Sequence, residues 1–303
     1  MKLLKSCLII FFCFFFCMAQ AQAQQKKEKD LYPGSDCGGK DALSYFKMAG
    51  FKNYPPFSWV EMDQEWFKVK KTKKDKYNGF ILGFLRDALE DSRIVQVQDV
   101  FFDNYQQIQK ALLHGKIEMA FIGYYTDESK SGQDYIYPAY FGNPFIVVSR
   151  ISKKIEVDDI SGLKGLKGII RREEEIEPLI RGVLPTDTKL DVVDGAEAAF
   201  RALLSGEADF MITSPYAADA EARRFKIKDK LHFGTKVLRH IKYFIAFSKI
   251  SPCRKYKSLF AEKFGKRIGD KAEVEKSILE SIRLWEEKHK DEPPLEYTPP
   301  EGE

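Results

Sequence analysis

Seven residues recur in the same pattern at two places. Leu112-Leu113-His114-Gly115-Lys116-Ile117-Glu118 and Leu203-Leu204-Ser205-Gly206-Glu207-Ala208-Asp209 each read as a helix end, a glycine that stops it, an acid and the entry to a buried strand. The first is preceded by Tyr105, Ile108, Ala111 and Leu112 at helical spacing and followed by a strand from Ile117 to Gly123. The second is preceded by Ala198, Ala199, Ala202 and Leu203 and followed by a strand from Phe210 to Thr213. A helix that ends on glycine and feeds a strand, twice, predicts two similar α/β domains. Strands alternating with helices imply mostly parallel sheets covered on both faces. Ligands of such sheets sit beyond the carboxyl ends of the strands.

The rest of the chain continues this alternation. Strands are expected at Leu43 to Met48, around Val95, Val97 and Phe101, at Leu190 to Val193 and at Ile241 to Phe247. Ile81, Leu82, Phe84, Leu85, Ala88 and Leu89 space a helix, and Val274, Ile278, Ile282 and Trp285 space a final one. Asp103 is the expected cap of one helix, and Asp194 with Glu197 resembles a capping box. Ser214-Pro215 and Ser251-Pro252 each start a helix, with serine as cap and proline in the first turn. Tyr54-Pro55-Pro56-Phe57 is a rigid bend, because consecutive prolines fix their own φ and restrict the residue before them. Its rings either pack into the core or face a ligand. The lysine-rich stretch Val60 to Tyr77 reads as a solvated hairpin or loop.

The ends are read as processing and linker segments. Lys2 and Lys5, the apolar run Leu8 to Met18 and the small-x-small steps Ala19-Gln20-Ala21 and Ala21-Gln22-Ala23 predict a cleaved secretory signal peptide over 1–23. Residues 24–36 are expected to be a polar leader, and 289–303, with Pro293-Pro294 and Pro299-Pro300, a disordered tail. Removing the two signal-peptide lysines from 49 basic and 45 acidic residues leaves a net charge of +2. Such near balance gives no case for nucleic acid as a partner. Three cysteines leave with the signal; Cys37 and Cys253 remain and allow one bridge in an oxidising compartment. No cysteine spacing suggests a metal, no cofactor motif is present, and the four histidines are scattered.

In order and spacing, several segments resemble the periplasmic solute-binding protein family 3, the polar amino-acid-binding type. They are the Tyr54–Phe57 bend, Gly79-Phe80, Ala111 to Glu118, Thr126-Asp127-Glu128, Tyr137 to Phe141, Phe145 to Ser149, Gly162 to Gly165, Gly206 to Asp209 and Ile245 to Lys249. The resemblance runs from about Leu43 to Trp285. It implies an α/β, two-lobe periplasmic binding protein-like (type II) fold with two crossovers, near Phe145–Arg150 and Lys242–Ser248. Lobe 1 would be 37–148 plus 243–288 and lobe 2 would be 149–242, and both cysteines would then fall in lobe 1 and pair. The implied role is an exported, periplasmic and monomeric carrier. It would hand a small polar or anionic solute to the membrane permease of an ABC-type transporter.

The amino-acid clamp of that family looks altered. Where an arginine is expected to hold the ligand's α-carboxylate the chain has Ser129, with Lys130 beside it; where an acid is expected to hold the ammonium it has Thr213 and Ser214. A serine does not replace a bidentate guanidinium, and lysine is only a point charge. The candidate ligand-binding set is therefore Phe57, Trp59, Tyr124, Tyr125, Thr126, Ser129, Lys130, Tyr140, Arg171, Arg172 and Ser214. Arg171 and Arg172 belong either to a surface ion-pair cluster with Glu173 to Glu175 or to the cleft. Ser214 is either a helix cap or a ligand contact. Two other readings stand beside the carrier: a docking or signalling protein that has lost its solute, and a dehydratase-type enzyme of the same fold. Glu118 and Asp209 are the acids an enzyme would offer, but both sit at strand starts, away from the expected rim, and no catalytic triad is evident.

Overall fold

The computed structural model describes Cys37 and residues 46–59, 66–68, 79–92, 94, 96–125, 128–157, 159–174, 176–300 and 302. The expected signal peptide, the leader and most of Val60 to Tyr77 lie outside them, as do Thr126 and Asp127.

In chain order the elements are β1 (Phe46–Phe51), β2 (Asn53–Tyr54), β3 (Ser58–Trp59), β4 (Trp66–Lys68), α1 (Phe80–Asp91), β5 (Gln96–Phe102), α2 (Tyr105–Leu113), β6 (Met119–Tyr124), β7 (Gln133–Tyr135) and β8 (Phe141–Arg150). There follow β9 (Lys167–Arg171), α3 (Glu177–Arg181), β10 (Lys189–Val193), α4 (Gly195–Leu204), β11 (Phe210–Thr213), α5 (Pro215–Arg224), β12 (Leu231–Ser248), α6 (Lys257–Ile268) and α7 (Lys271–Lys288). The first expected strand is displaced, running on to Phe51.

The strands order as β10-β9-β11-β8-β12-β6-β1-β5-β4, with β7 on β12. β5, β1 and β6 are mutually parallel on one side, and β10, β9 and β11 are parallel on the other. Between them lie the two longest strands, β8 and β12, antiparallel from Leu231 opposite Arg150 to Tyr243 opposite Phe141. Each passes from one parallel group to the other, so they are the two crossovers, and the architecture is the two-lobe type II arrangement. Both expected crossover segments fall inside these strands.

Local details correct several sequence expectations. Asn104, not Asp103, caps α2, accepting from the Gln107 backbone N–H at 3.0 Å. Asp194 makes no side-chain cap bond to α4 and instead pairs with Arg172. Ser251 caps a single 3-10 turn, Pro252–Tyr256, before α6 begins. Cys37 and Cys253 form a disulfide, with Cα atoms 5.1 Å apart.

The segment expected to be a disordered tail packs on the second lobe. Leu295 is buried among the core residues of α4 and α5, and its N–H donates to the Phe225 carbonyl at 3.0 Å. Lys226 donates to the Glu292 carbonyl and Lys230 to the Tyr297 hydroxyl. The prolines suggest a loose end, but Leu295 and Tyr297 between them anchor the segment. Upstream of the tail, α7 touches both sides of the molecule, packing on α5 and also on α1 and α6.

Candidate functional site

The bend after β1 is held against the start of α1. The Phe80 N–H donates to the Pro56 carbonyl at 3.1 Å. Gly79 has φ +92°, and a Cβ there would lie 2.2 Å from the Phe57 carbonyl oxygen, so only glycine lets helix and bend approach this closely. The bend thereby places Tyr54 and Phe57, both buried, at the junction between the lobes.

A hydrogen-bonded array crosses that junction. The hydroxyls of Tyr54 and Tyr243 lie 3.0 Å apart. Asn143 Nδ2 donates to Tyr243 at 2.7 Å and to Tyr54 at 3.3 Å, and Asn143 Oδ1 accepts from Ser214 Oγ at 2.7 Å. Asn143 and Tyr243 stand on the two crossover strands, Tyr54 on the first lobe and Ser214 on the second. Beside them Arg171, at the carboxyl end of β9, donates to Glu174 Oε1 at 2.9 Å, and Thr213 Oγ1 donates to the same oxygen at 2.8 Å. The Arg171 guanidinium also lies over the Tyr54 ring, 5.7 Å from its centroid, which brings the second lobe against the first. Glu174 Oε2 and Arg171 Nε are buried with no hydrogen-bond partner.

Burial dominates the electrostatics. It pushes the Glu174 carboxyl up, although Arg171, Thr213 and the Ser214 backbone N–H pull it back. Glu221 of α5 is raised for the same reason, against the pull of Arg224 and Arg171. Burial would lower Arg171, but Glu174, Tyr54 and Glu221 together hold it above its ordinary value, so it remains a cation. The Tyr54 and Tyr243 hydroxyls are raised by burial and stay neutral.

Phe57 is the centre of an aromatic group. Its ring stacks on Tyr54 at 5.2 Å and meets Tyr243 at 5.5 Å, Phe141 at 5.6 Å and Tyr216 at 6.4 Å. Tyr216 comes from α5, so this packing too joins the lobes.

The sequence candidates divide sharply. Phe57, Arg171 and Ser214 come together at the junction, and Tyr124 reaches it through its ring, 5.2 Å from Tyr243. Ser214 is the N-cap residue of α5 but makes no capping bond; its hydroxyl is spent on Asn143. Trp59 is buried elsewhere, edge-on to Trp285 of α7 at 5.5 Å. The Tyr140 hydroxyl donates to the Phe121 carbonyl at 2.7 Å inside the first lobe. Tyr125 is an exposed ring with Lys130 over it at 5.2 Å. Ser129 lies in the 3-10 turn Glu128–Ser131, and Thr126 is outside the described residues. Arg172 is 63% exposed and bound to Asp194. Thus Trp59, Tyr125, Lys130 and Arg172 do not join the array, and Tyr140 reaches it only through its ring, 6.4 Å from that of Tyr243.

Sequence reasoning missed Glu174, Asn143, Tyr216, Tyr243 and Glu221. Glu174 stands in an acidic run that reads as helix-start chemistry, yet it is fully buried and takes the Thr213 bond near the position where an acid was expected. Only Tyr54, in the bend, carried a usable signal. Glu118 and Asp209 are structural: Glu118 Oε2 accepts from the Lys47 N–H at 2.6 Å and Asp209 Oδ2 from the Lys167 N–H at 2.9 Å. Among the described residues no group of three or more His, Cys, Asp or Glu could hold a metal ion, and no helix is long and apolar enough to cross a membrane.

No family model and no curated protein matches the chain. Solved structures do. An amino acid ABC transporter substrate-binding protein, AbpA from Streptococcus pneumoniae, bound to L-arginine, superposes with a TM-score of 0.61 at 15% identity over 80% of this chain and 95% of that one. The GluR0 ligand-binding core in complex with L-glutamate gives 0.61 at 14% over 80% and 99%. The periplasmic VFT2 domain of Bordetella pertussis BvgS gives 0.56 at 16% over 87% and 97%. At these identities the likeness is one of fold. The chain has the two-lobe type II fold of the family 3 solute-binding proteins.

Proposed function

We propose that the chain is an exported binding protein that captures a small polar solute between its lobes and presents it to the permease of an ABC-type transporter. In this reading lobe 1 is 37–148 plus 243–288, lobe 2 is 149–242, and the protein acts as a periplasmic monomer after its signal peptide is removed. The observation that carries it is the pair of buried, unpartnered polar atoms at the lobe junction, Glu174 Oε2 and Arg171 Nε. Buried polar groups are almost always satisfied, and each unpaired one costs roughly 1–3 kcal/mol, so a solute that supplies the missing partners binds with a built-in advantage. Entry requires the lobes to part, which separates Arg171 from Tyr54 and Tyr216 from Phe57, and β8 and β12 are the strands about which they would move.

Standard α-amino acids are poor candidates. Arg171, the one buried guanidinium at the junction among the described residues, is already bonded to Glu174. A ligand carboxylate would have to take it from there, at a cost of roughly 2–5 kcal/mol. The test is a thermal-shift screen of the exported chain against polar solutes, followed by calorimetry. A melting temperature raised by a solute supports the reading; micromolar binding of a standard amino acid would return the site to the ordinary clamp.

A second reading has its own observation. The chain's own side chains bridge its lobes, through Tyr54, Asn143 and Ser214 and through Arg171 over Tyr54. A docking or signalling module needs such a self-closed form. It predicts that no solute shifts the melting temperature.

A further inference from the structure

The charge class of the solute follows from the groups buried at the lobe junction, given the reading that a solute is held there. Glu174 and Glu221 are buried carboxylates, and Arg171 is the one fully buried cation beside them. Arg224, 3.4 Å from Glu221 Oε2, is also bound by Glu292 at 2.7 Å, so its charge is answered from the tail. Two buried carboxyls thus share one fully buried guanidinium, an imbalance on the acidic side. The sequence candidates for holding an anion do not offset it: Lys130 lies on the exposed ring of Tyr125, and Arg172 is exposed and paired with Asp194.

We propose that the site takes a small organic cation, an amine or guanidinium carrying no α-carboxylate. Three features of the junction fit such a group. Glu174 Oε2 has no side-chain donor, and an ammonium or guanidinium N–H supplies one. The rings of Tyr54, Phe57, Tyr216 and Tyr243 meet within 5.2–6.4 Å of the Phe57 centroid, and the negative faces of such rings attract cations. Arg171 already displays the recognition within the chain, with its guanidinium bonded to Glu174 and laid over Tyr54. An anion meets the reverse: two buried carboxyls, and a guanidinium that has a free Nε but is already bonded to Glu174.

The experiment is calorimetry and thermal shift on the exported chain at constant ionic strength. The cationic probes are methylguanidine, agmatine, putrescine and tetramethylammonium chlorides; the others are phosphate, citrate, glutamate and arginine. The expected result is saturable binding of at least one cationic probe and of neither phosphate nor citrate. Glu221→Gln, which removes a charge and keeps the shape, should weaken that binding by roughly tenfold, about 1.4 kcal/mol, while Arg172→Ala leaves it unchanged. If Glu221→Gln does not fold, Glu174→Gln serves the same comparison. Binding of an anion instead, or cation binding indifferent to both carboxylate variants, overturns the cation class while leaving solute capture standing. Silence towards every probe removes solute capture itself and the cation class with it.

Discussion

At the amino-terminal edges of β6 and β11 the two lobes are built alike. Gly115 and Gly206 both take positive φ, +64° and +82°, and end their helices. The acid three residues later then binds the neighbouring strand twice. The Glu118 N–H donates to the Lys47 carbonyl and its carboxylate accepts from the Lys47 N–H; Asp209 does the same with Lys167. At the carboxyl ends of the same strands the likeness stops. β6 ends in Tyr124, packed on Tyr105 and Tyr243, whereas β11 ends in Thr213, bonded to the buried Glu174. The repeat is kept where it aligns strands and lost where the lobes face each other. An acid that bonds a backbone on both its atoms specifies register, and register is common to both lobes. A carboxylate buried beside arginine and tyrosine specifies what meets it, and there the lobes differ.

This contrast predicts graded effects. Arg171→Ala should be the most damaging, because it leaves Glu174 buried without its cation; we expect a loss of roughly 3–5 kcal/mol in urea unfolding. A loss below 1 kcal/mol would mean that the carboxyl ends tolerate change as a surface does. Leu295→Ala should cost roughly 2–4 kcal/mol by emptying a core position of the second lobe, whereas an undocked tail would leave the unfolding midpoint where it was. Glu118→Ala should cost roughly 1–3 kcal/mol, since the Glu118 side chain is buried and its loss takes the acceptor from the Lys47 N–H. Asp209→Ala should cost less, because that carboxylate is partly exposed and water can take its bond to Lys167; equal losses would show that the echo is energetic as well as geometric. Arg172→Ala should not move the melting temperature measurably, its pair with Asp194 being open to solvent.

The seven-residue echo pointed to two similar α/β domains, because helix stops, glycine φ and strand burial are local; the two-lobe type II arrangement was read from the resemblance of many segments in order and spacing. The make-up of the lobe junction was only half legible. Phe57, Arg171, Tyr124 and Ser214 were among the candidates, but Arg172 had the same standing in the sequence as Arg171. β9 runs to Arg171 and the chain then turns, so one arginine is buried against Tyr54 and the next is 63% exposed. Nothing in the order of two adjacent arginines announces that. The aromatics are alike in this, since a ring near a bend reads the same whether it faces α7, as Trp59 does, the first-lobe core or the junction.

The amino-acid sequence by itself therefore determined the alternation of strands and helices and the rigid bend, and the order and spacing of its segments, through their resemblance to a known family, placed the two crossovers. Each is a property of a short stretch or of the spacing between stretches. Only the tertiary structure decided which charges are buried together. Glu174 and Thr213 are far apart in the chain and meet because β9 and β11 pair in parallel; Asn143 and Tyr243 meet because β8 and β12 run antiparallel. Burial of a charge is a sum over neighbours brought in from distant segments, and its sign at the lobe junction was fixed only once those strands had paired.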